Sequence, residues 1–270
     1  MSAEFEGRAA LVTGAGRGIG RAIALDLSAA GAKVAIVSRT TSELEEVAAA
    51  IAAEDGATAA VIDADLGDPD KIAEVARRAG DEIGPVEILV NNAAVVWPLG
   101  PSARIDPLEW EKAAEINLFG PVRLTRELLP DMIERGWGRI VNVSSGIAAN
   151  PAGMIGGNAY ATTKAALEAH TVNLAAELEG TGVSVNAFRP GTVDTAMQGW
   201  IREQDPSEIG AALHEYFRAN YESGTLLAPE RSASVLLDHL RAGGNAQIWD
   251  VPDGAPAGGR SNGQSARRTG

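Results

Sequence analysis

Cysteine is absent from the 270 residues. The fold therefore holds no disulfide and no thiolate metal site. Histidine is scarce. His170, His214 and His239 are far apart and lack the spacing of ligands, so no metal is expected. Positive charge is also short: 23 Lys and Arg stand against 36 Asp and Glu, a formal net charge of −13. That balance argues against wrapping nucleic acid or docking on an anionic membrane. No apolar run approaches the roughly 20 residues of a membrane span. The first residues, MSAEFEGR, lack the pattern of a secretory leader, and a cytoplasmic location is expected. The sequon at Asn142 falls in a run that reads as a buried strand and is not expected to carry sugar. No repeat of solenoid period is present.

What remains is an ordinary globular composition, 45% hydrophobic and 22% charged, in a chain long enough for one large α/β core. Short apolar runs at Arg8–Thr13, Lys33–Ser38, Thr58–Asp63, Val86–Val90, Arg139–Ser144, Val183–Arg189 and Gln247–Val251 read as strands. Helical spacing runs from Gly18 to Gly31, then over Thr41–Ala53, Pro69–Asp81, Pro107–Asn117, Gly120–Arg135 and Ala159–Gly180. Ser42 with Glu45 suggests a capping box, and Asp68 with Pro69 a capped start. This alternation implies right-handed βαβ units. The expected fold is a single Rossmann-type domain over 1–253, with a doubly wound, mostly parallel seven-stranded sheet and helices on both faces. Ligands in such sheets bind beyond the carboxyl ends of the strands, where strand order reverses. Residues Gly254–Gly270 are small, polar and glycine-rich, and are expected to be disordered.

Two motifs carry the chemistry. Thr13–Arg21 reads TGAGRGIGR, between a strand and a helix. Gly14 allows a tight turn, while Gly18 and Gly20 let backbone approach a pyrophosphate and let the helix pack on the sheet. The helix start offers free N–H groups and a positive dipole end to phosphate. The spacing is not that of a phosphoryl-transfer P-loop. Downstream, Tyr160 and Lys164 stand four residues apart, on one face of a helix. An isolated Tyr titrates near about 10, and a neighbouring ammonium lowers that value. A phenol tuned in this way can exchange a proton with a substrate oxygen.

With these residues the chain resembles a classical short-chain dehydrogenase/reductase from about Gly7 to about Asp253. The resemblance also rests on Asp65–Leu66, Asn91–Asn92–Ala93, Asn117, Asn142–Ser145 and Asn186–Thr195. It implies that Tyr160 is the general acid/base, that Lys164 tunes it and binds the nicotinamide ribose, and that a serine holds the substrate oxygen. Ser144 and Ser145 both end the strand, and Ser145 is the expected one. Tyr160 lies fifteen positions after Ser145, against the family's usual thirteen. Asn117 is implied to hold a water linking Lys164 to solvent.

The resemblance further implies a cofactor wall built from Gly14, Arg17, Gly18, Ile19, Gly20, Ser38, Asp65, Leu66, Asn91, Ala93, Pro190, Gly191, Val193 and Thr195, with Tyr160 and Lys164. The second strand ends Val37-Ser38-Arg39-Thr40, without the acid that would favour NAD. Arg39 and Arg17 are placed to pair with a 2′-phosphate, so NADP(H) is expected over NAD(H). Stacking of Arg39 on adenine is the other reading. Residues 196–225 correspond to the family's substrate lid; their Trp200, Tyr216, Phe217 and Tyr221 also suit a helical pair buried on the core. The expected activity is reversible, NADP-dependent interconversion of a ketone or aldehyde and an alcohol, by a homodimer or homotetramer. An NAD-preferring dehydrogenase and a non-catalytic nucleotide-sensing module are the alternatives.

Overall fold

Seven parallel strands in the order β3-β2-β1-β4-β5-β6-β7 form the sheet of the computed structural model, which describes residues 5–251. The expected tail at 254–270, and the ends of the 1–253 span, lie outside the described residues. In chain order the elements are β1 (Ala9–Thr13), α1 (Gly18–Ala29), β2 (Lys33–Ser38), α2 (Thr41–Asp55), β3 (Ala60–Asp63), α3 (Ile72–Ile83) and β4 (Ile88–Asn91). Then follow α4 (Pro107–Ala114), α5 (Gly120–Glu134), β5 (Gly138–Val143), α6 (Asn158–Glu177) and β6 (Val183–Arg189). The chain continues through α7 (Ala196–Arg202), α8 (Pro206–Ile209), α9 (Ala211–Glu222), α10 (Pro229–Ala242) and β7 (Ile248–Asp250).

Burial on both faces explains the unbroken apolar runs, since alternate side chains of one strand enter different cores. Ala10 and Val12 of β1, with Val34 and Ile36 of β2, pack beneath α1, α2 and α10. Ala9, Leu11, Ala35 and Val37 face the opposite way, toward α3, α5 and α6. The chain winds outward from β1 to β3, then restarts at β4 on the other side of β1. That reversal opens a crevice between the ends of β1 and β4.

Local details depart from the sequence reading at helix ends. The cap of α2 is Thr40 rather than Ser42, without a side-chain capping bond, and Ser42 lies inside the helix. Asp68 does cap, accepting from the Asp70 N–H, but Pro69–Lys71 forms a short 3₁₀ turn before α3 begins. The stretch read as two helices is continuous, because Glu115–Phe119 joins α4 to α5 as a π-turn. Such a turn inserts a residue into a helix and often marks a functional site. Here it contains Asn117, fully buried.

Helices α7–α9 cover a separate apolar cluster of Val96, Met154, Ile201, Ile209, Leu213 and Phe217, against which Met197, Trp200 and the ring of Tyr160 pack. The aromatic residues of this segment therefore divide. Phe217 is buried and Tyr216 meets it edge-on at 5.3 Å, while Tyr216 and Tyr221 remain about half exposed. Among the described residues no helix is long and apolar enough to cross a membrane.

Candidate active site

The crevice at the strand reversal is a cavity of about 380 Å³, within the range of small-molecule sites. Its floor is the glycine turn. Gly14 and Gly18 sit at φ +63° and +56°, where a side chain is strained. Gly20 tolerates no side chain for a different reason: a Cβ there would lie 2.2 Å from the Gly14 carbonyl oxygen and 2.4 Å from Asn92 Nδ2. Thr13 fastens the turn to β4, its Oγ1 accepting from the N–H groups of Asn92 (2.9 Å) and Ala93 (3.0 Å). Asn92 returns the contact, its amide donating to the Thr13 and Gly14 carbonyls. Helix α1 starts at Gly18, has no acid in its first turn and no side-chain cap from Arg17. Its first N–H groups are left for an anion in the cavity.

Most expected wall residues line this cavity: Gly14, Arg17, Gly18, Ile19, Gly20, Ser38, Arg39, Asp65, Leu66, Ala93, Tyr160, Lys164, Pro190 and Thr195. Others stand behind it. Asn91 is buried and donates to Asn142 Oδ1 (2.8 Å) and Thr125 Oγ1 (3.2 Å), so the neighbouring Asn92 is the one that faces the cavity. Gly191 (φ +77°) packs beneath Leu227 and Val251. Val193 is buried in a bridge to Leu227. Asn117 makes no cavity wall. Its amide clamps both backbone groups of Val95, accepting from N–H and donating to O at 2.8 Å each, and donates to Thr163 Oγ1 at 3.2 Å.

The two serines separate. Ser144 lines the cavity and its Oγ donates to Glu168 Oε1 at 2.7 Å, whereas Ser145 Oγ accepts from the Ile147 N–H at 3.4 Å and lies beside the Tyr160 phenol. Tyr160 keeps part of its surface open to the cavity, yet the surrounding protein pushes its pKa above the ordinary value, and Ser145 pulls it back. The expected pull from Lys164 is not what governs the phenol here. The Lys164 ammonium lies 5.8 Å from the ring centre and donates to the Val143 carbonyl at 2.7 Å. Lys164 is 2% exposed, and burial pushes it down to about 8, opposed by the carboxylate of Glu168. Tyr160, Ser145 and Lys164 thus form one constellation at the ends of β5 and α6.

The end of the cavity beside the glycine turn is electrically balanced, with acids beside the two arginines read from the sequence as phosphate partners. Arg17 Nη1 lies 3.3 Å from Glu43 Oε1, and Arg39 Nη1 lies 3.9 Å from Asp65 Oδ2. Glu43 lines the cavity because α2 begins directly after β2 and carries it in its first turn. At the other end the walls are Val95, Val96, Trp97, Ile116, Met197 and Trp200, none of them charged. Among the described residues no His, Asp and Glu cluster is arranged to hold a metal.

A family model described as short chain dehydrogenase matches residues 8–206. A short-chain type dehydrogenase/reductase of Picea abies is 40% identical over 219 residues, covering 78% of this chain and 80% of its own. The 3-oxoacyl-(acyl-carrier-protein) reductase of Aquifex aeolicus is 34% identical, covering 88% of this chain and 91% of its own. Among solved structures, the L-sorbose reductase of Gluconobacter frateurii, complexed with NADPH and L-sorbose, superposes with a TM-score of 0.83 at 26% identity. That match covers 96% of this chain and all of the reductase.

Proposed function

The chain belongs to the short-chain dehydrogenase family, and from that premise we propose that this oxidoreductase uses NADPH to reduce a ketone or aldehyde to an alcohol, reversibly. One observation carries the reading: Tyr160, beside Ser145 and one turn from Lys164, opens into the same cavity as the glycine turn. The cradle fits a dinucleotide, since the space a Cβ would fill at Gly20 is taken by backbone and the start of α1 has neither a side-chain cap nor an acid in its first turn. The glycine turn would take the pyrophosphate, Asp65 and Leu66 the adenine edge, Ser38 and Arg39 the 2′-phosphate, and Pro190 and Thr195 the carboxamide end. Lys164 would hold the ribose hydroxyls. When bound, the reduced cofactor supplies hydride.

The protein's share is proton and orientation. Ser145 donates to the substrate oxygen and fixes it beside Tyr160. Burial keeps the Tyr160 phenol protonated at neutral pH, the form an acid needs when a carbonyl is reduced. Asn117 acts through the fold, holding Val95 in the wall. The uncharged far end suits a carbonyl compound with apolar substituents, and α7–α9 act as the lid over it. Exposed Phe119, Ile133 and Val172 on the α5 and α6 side favour a homodimer or homotetramer built on these helices.

A second reading has its own observation. With Glu43 and Asp65 already beside the two arginines, NAD(H) would meet no excess positive charge, and an NAD-preferring dehydrogenase is the alternative. The test is NADPH and NADH oxidation with a panel of apolar ketones, run beside Tyr160→Phe. The expected result is turnover with NADPH, lost by about 10²–10⁴ in the variant with coenzyme binding kept. Coenzyme binding without oxidation by any carbonyl would support the sensing-module alternative instead.

A further inference from the structure

Glu168 is a buried acid that the reaction described above does not use. It lies on α6 one turn beyond Lys164, 8% exposed. Its Oε1 accepts from Ser144 Oγ (2.7 Å) and Arg189 Nε (2.8 Å), and its Oε2 from Arg189 Nη2 (2.8 Å). A two-pronged guanidinium–carboxylate contact of this kind fixes both groups in one plane. Three ends meet on this one carboxylate. Ser144 directly follows Val143, whose carbonyl receives the Lys164 ammonium, and directly precedes Ser145, which meets the phenol. Arg189 directly precedes Pro190, part of the cavity wall. Helix α6 carries Tyr160 and Lys164.

We propose that Glu168 is a positioning residue of the reaction: with Arg189 it locks the ends of β5 and β6 to the helix bearing Tyr160 and Lys164, and it places a negative charge one helical turn from Lys164. Removing one partner of a buried ion pair is costly whatever its task, so stability does not separate a structural role from this one. Here the charge itself has a recipient. The polar partner of Lys164 on β5 is neutral, the Val143 carbonyl. Glu168 is the negative charge that acts on the ammonium. Arg189 opposes it from β6, and is in turn offset by Asp250 of β7 at 3.4 Å.

The inference rests on Tyr160 and Lys164 acting as proposed above, but its test does not need a substrate. The chain has four lysines, of which Lys33, Lys71 and Lys112 are exposed. Lysine labelled with ¹³C at Cε therefore yields few resonances, and the Lys164 signal is identified by its loss in Lys164→Arg. Titrating the full chain, we expect the Lys164 midpoint to fall by on the order of one pH unit in Glu168→Gln. In Arg189→Gln it should move the other way. Where a carbonyl substrate is in hand, the basic limb of the kcat profile follows the same two directions, while coenzyme Kd changes less than threefold. A Lys164 midpoint unmoved in both folded variants overturns the proposal. Should Glu168→Gln fail to fold, Arg189→Gln and the exposed Asp250→Asn test the same field, and two unmoved midpoints there overturn it equally. Full activity in Tyr160→Phe would refute the proposed reaction instead, and leaves the titration result standing.

Discussion

Replacing Arg39 by Asp tests the coenzyme assignment at the point where charge decides it. The Arg39 side chain is 58% exposed and its contact with Asp65, at 3.9 Å, is longer than a hydrogen bond. An exposed pair of this kind contributes about 0–1 kcal/mol, so turning the guanidinium toward a phosphate costs little. A charge-assisted bond to a 2′-phosphate is worth about 1.5–3 kcal/mol, and solvent exposure places Arg39 near the lower end. Substituting Asp removes that bond and adds like-charge repulsion of about 1 kcal/mol in a largely aqueous setting. The sum is roughly 2–3 kcal/mol, a loss of about 30- to 150-fold in NADPH affinity. NADH, without the phosphate, should lose about threefold or less. Fluorescence titration of both coenzymes at 0.1 M and 0.5 M salt measures this, with the NADPH penalty shrinking at high salt. Equal losses for both coenzymes, or an unchanged NADPH Kd, would refute the charge argument and favour adenine stacking.

The remaining predictions concern stability and binding. Burial shifts Lys164 from its ordinary 10.5 to about 8, so the folded protein releases this proton first. Below about 8 both states are protonated and the buried ammonium is a full cost; between about 8 and 10.5 its contribution to stability rises with pH, by roughly 3 kcal/mol. The difference in denaturation midpoint between wild type and Lys164→Met, followed over that window, measures it; a flat difference contradicts the burial. Gly20→Ala pushes a methyl into the Gly14 carbonyl and should cost about 1–3 kcal/mol and sharply weaken coenzyme binding, checked by melting and by titration. Asn117→Ala leaves the buried Val95 N–H and C=O unpaired, with an expected loss of about 2–4 kcal/mol in urea unfolding; a loss below 0.5 would mean that water replaces the amide.

The alternation of strands and helices was readable because each strand, covered on both faces, is a short uninterrupted apolar run. The glycine turn and the Tyr160–Lys164 pair were readable because each is a local pattern in the chain. What escaped is long-range pairing. Glu43 and Asp65 meet Arg17 and Arg39 only after β2, α2 and β3 are folded, and nothing in a strand-end Arg announces its partner. Glu168 had a faint signal, an acid on the helical face of Lys164, but its partners lie 21 and 24 residues away. The choice between Asn91 and Asn92 turns on which way one residue points beyond a strand end, a one-residue phase that composition does not encode. The lysine's effect on the phenol was inferred from spacing alone; in the fold the longer side chain reaches past the ring to a carbonyl, and burial becomes the larger influence.

The ring of Tyr160 shares its apolar cluster with Met197, Trp200 and the helices above them. With Tyr160 as the proton donor proposed above, selectivity and acid strength are not independent traits. A change that widens the roof for a bulkier substrate would also admit solvent to the phenol and alter how readily it parts with hydrogen. On the proposed reaction, engineering the entrance is expected to shift the rate–pH curve even when no residue that contacts the reacting atoms has been touched.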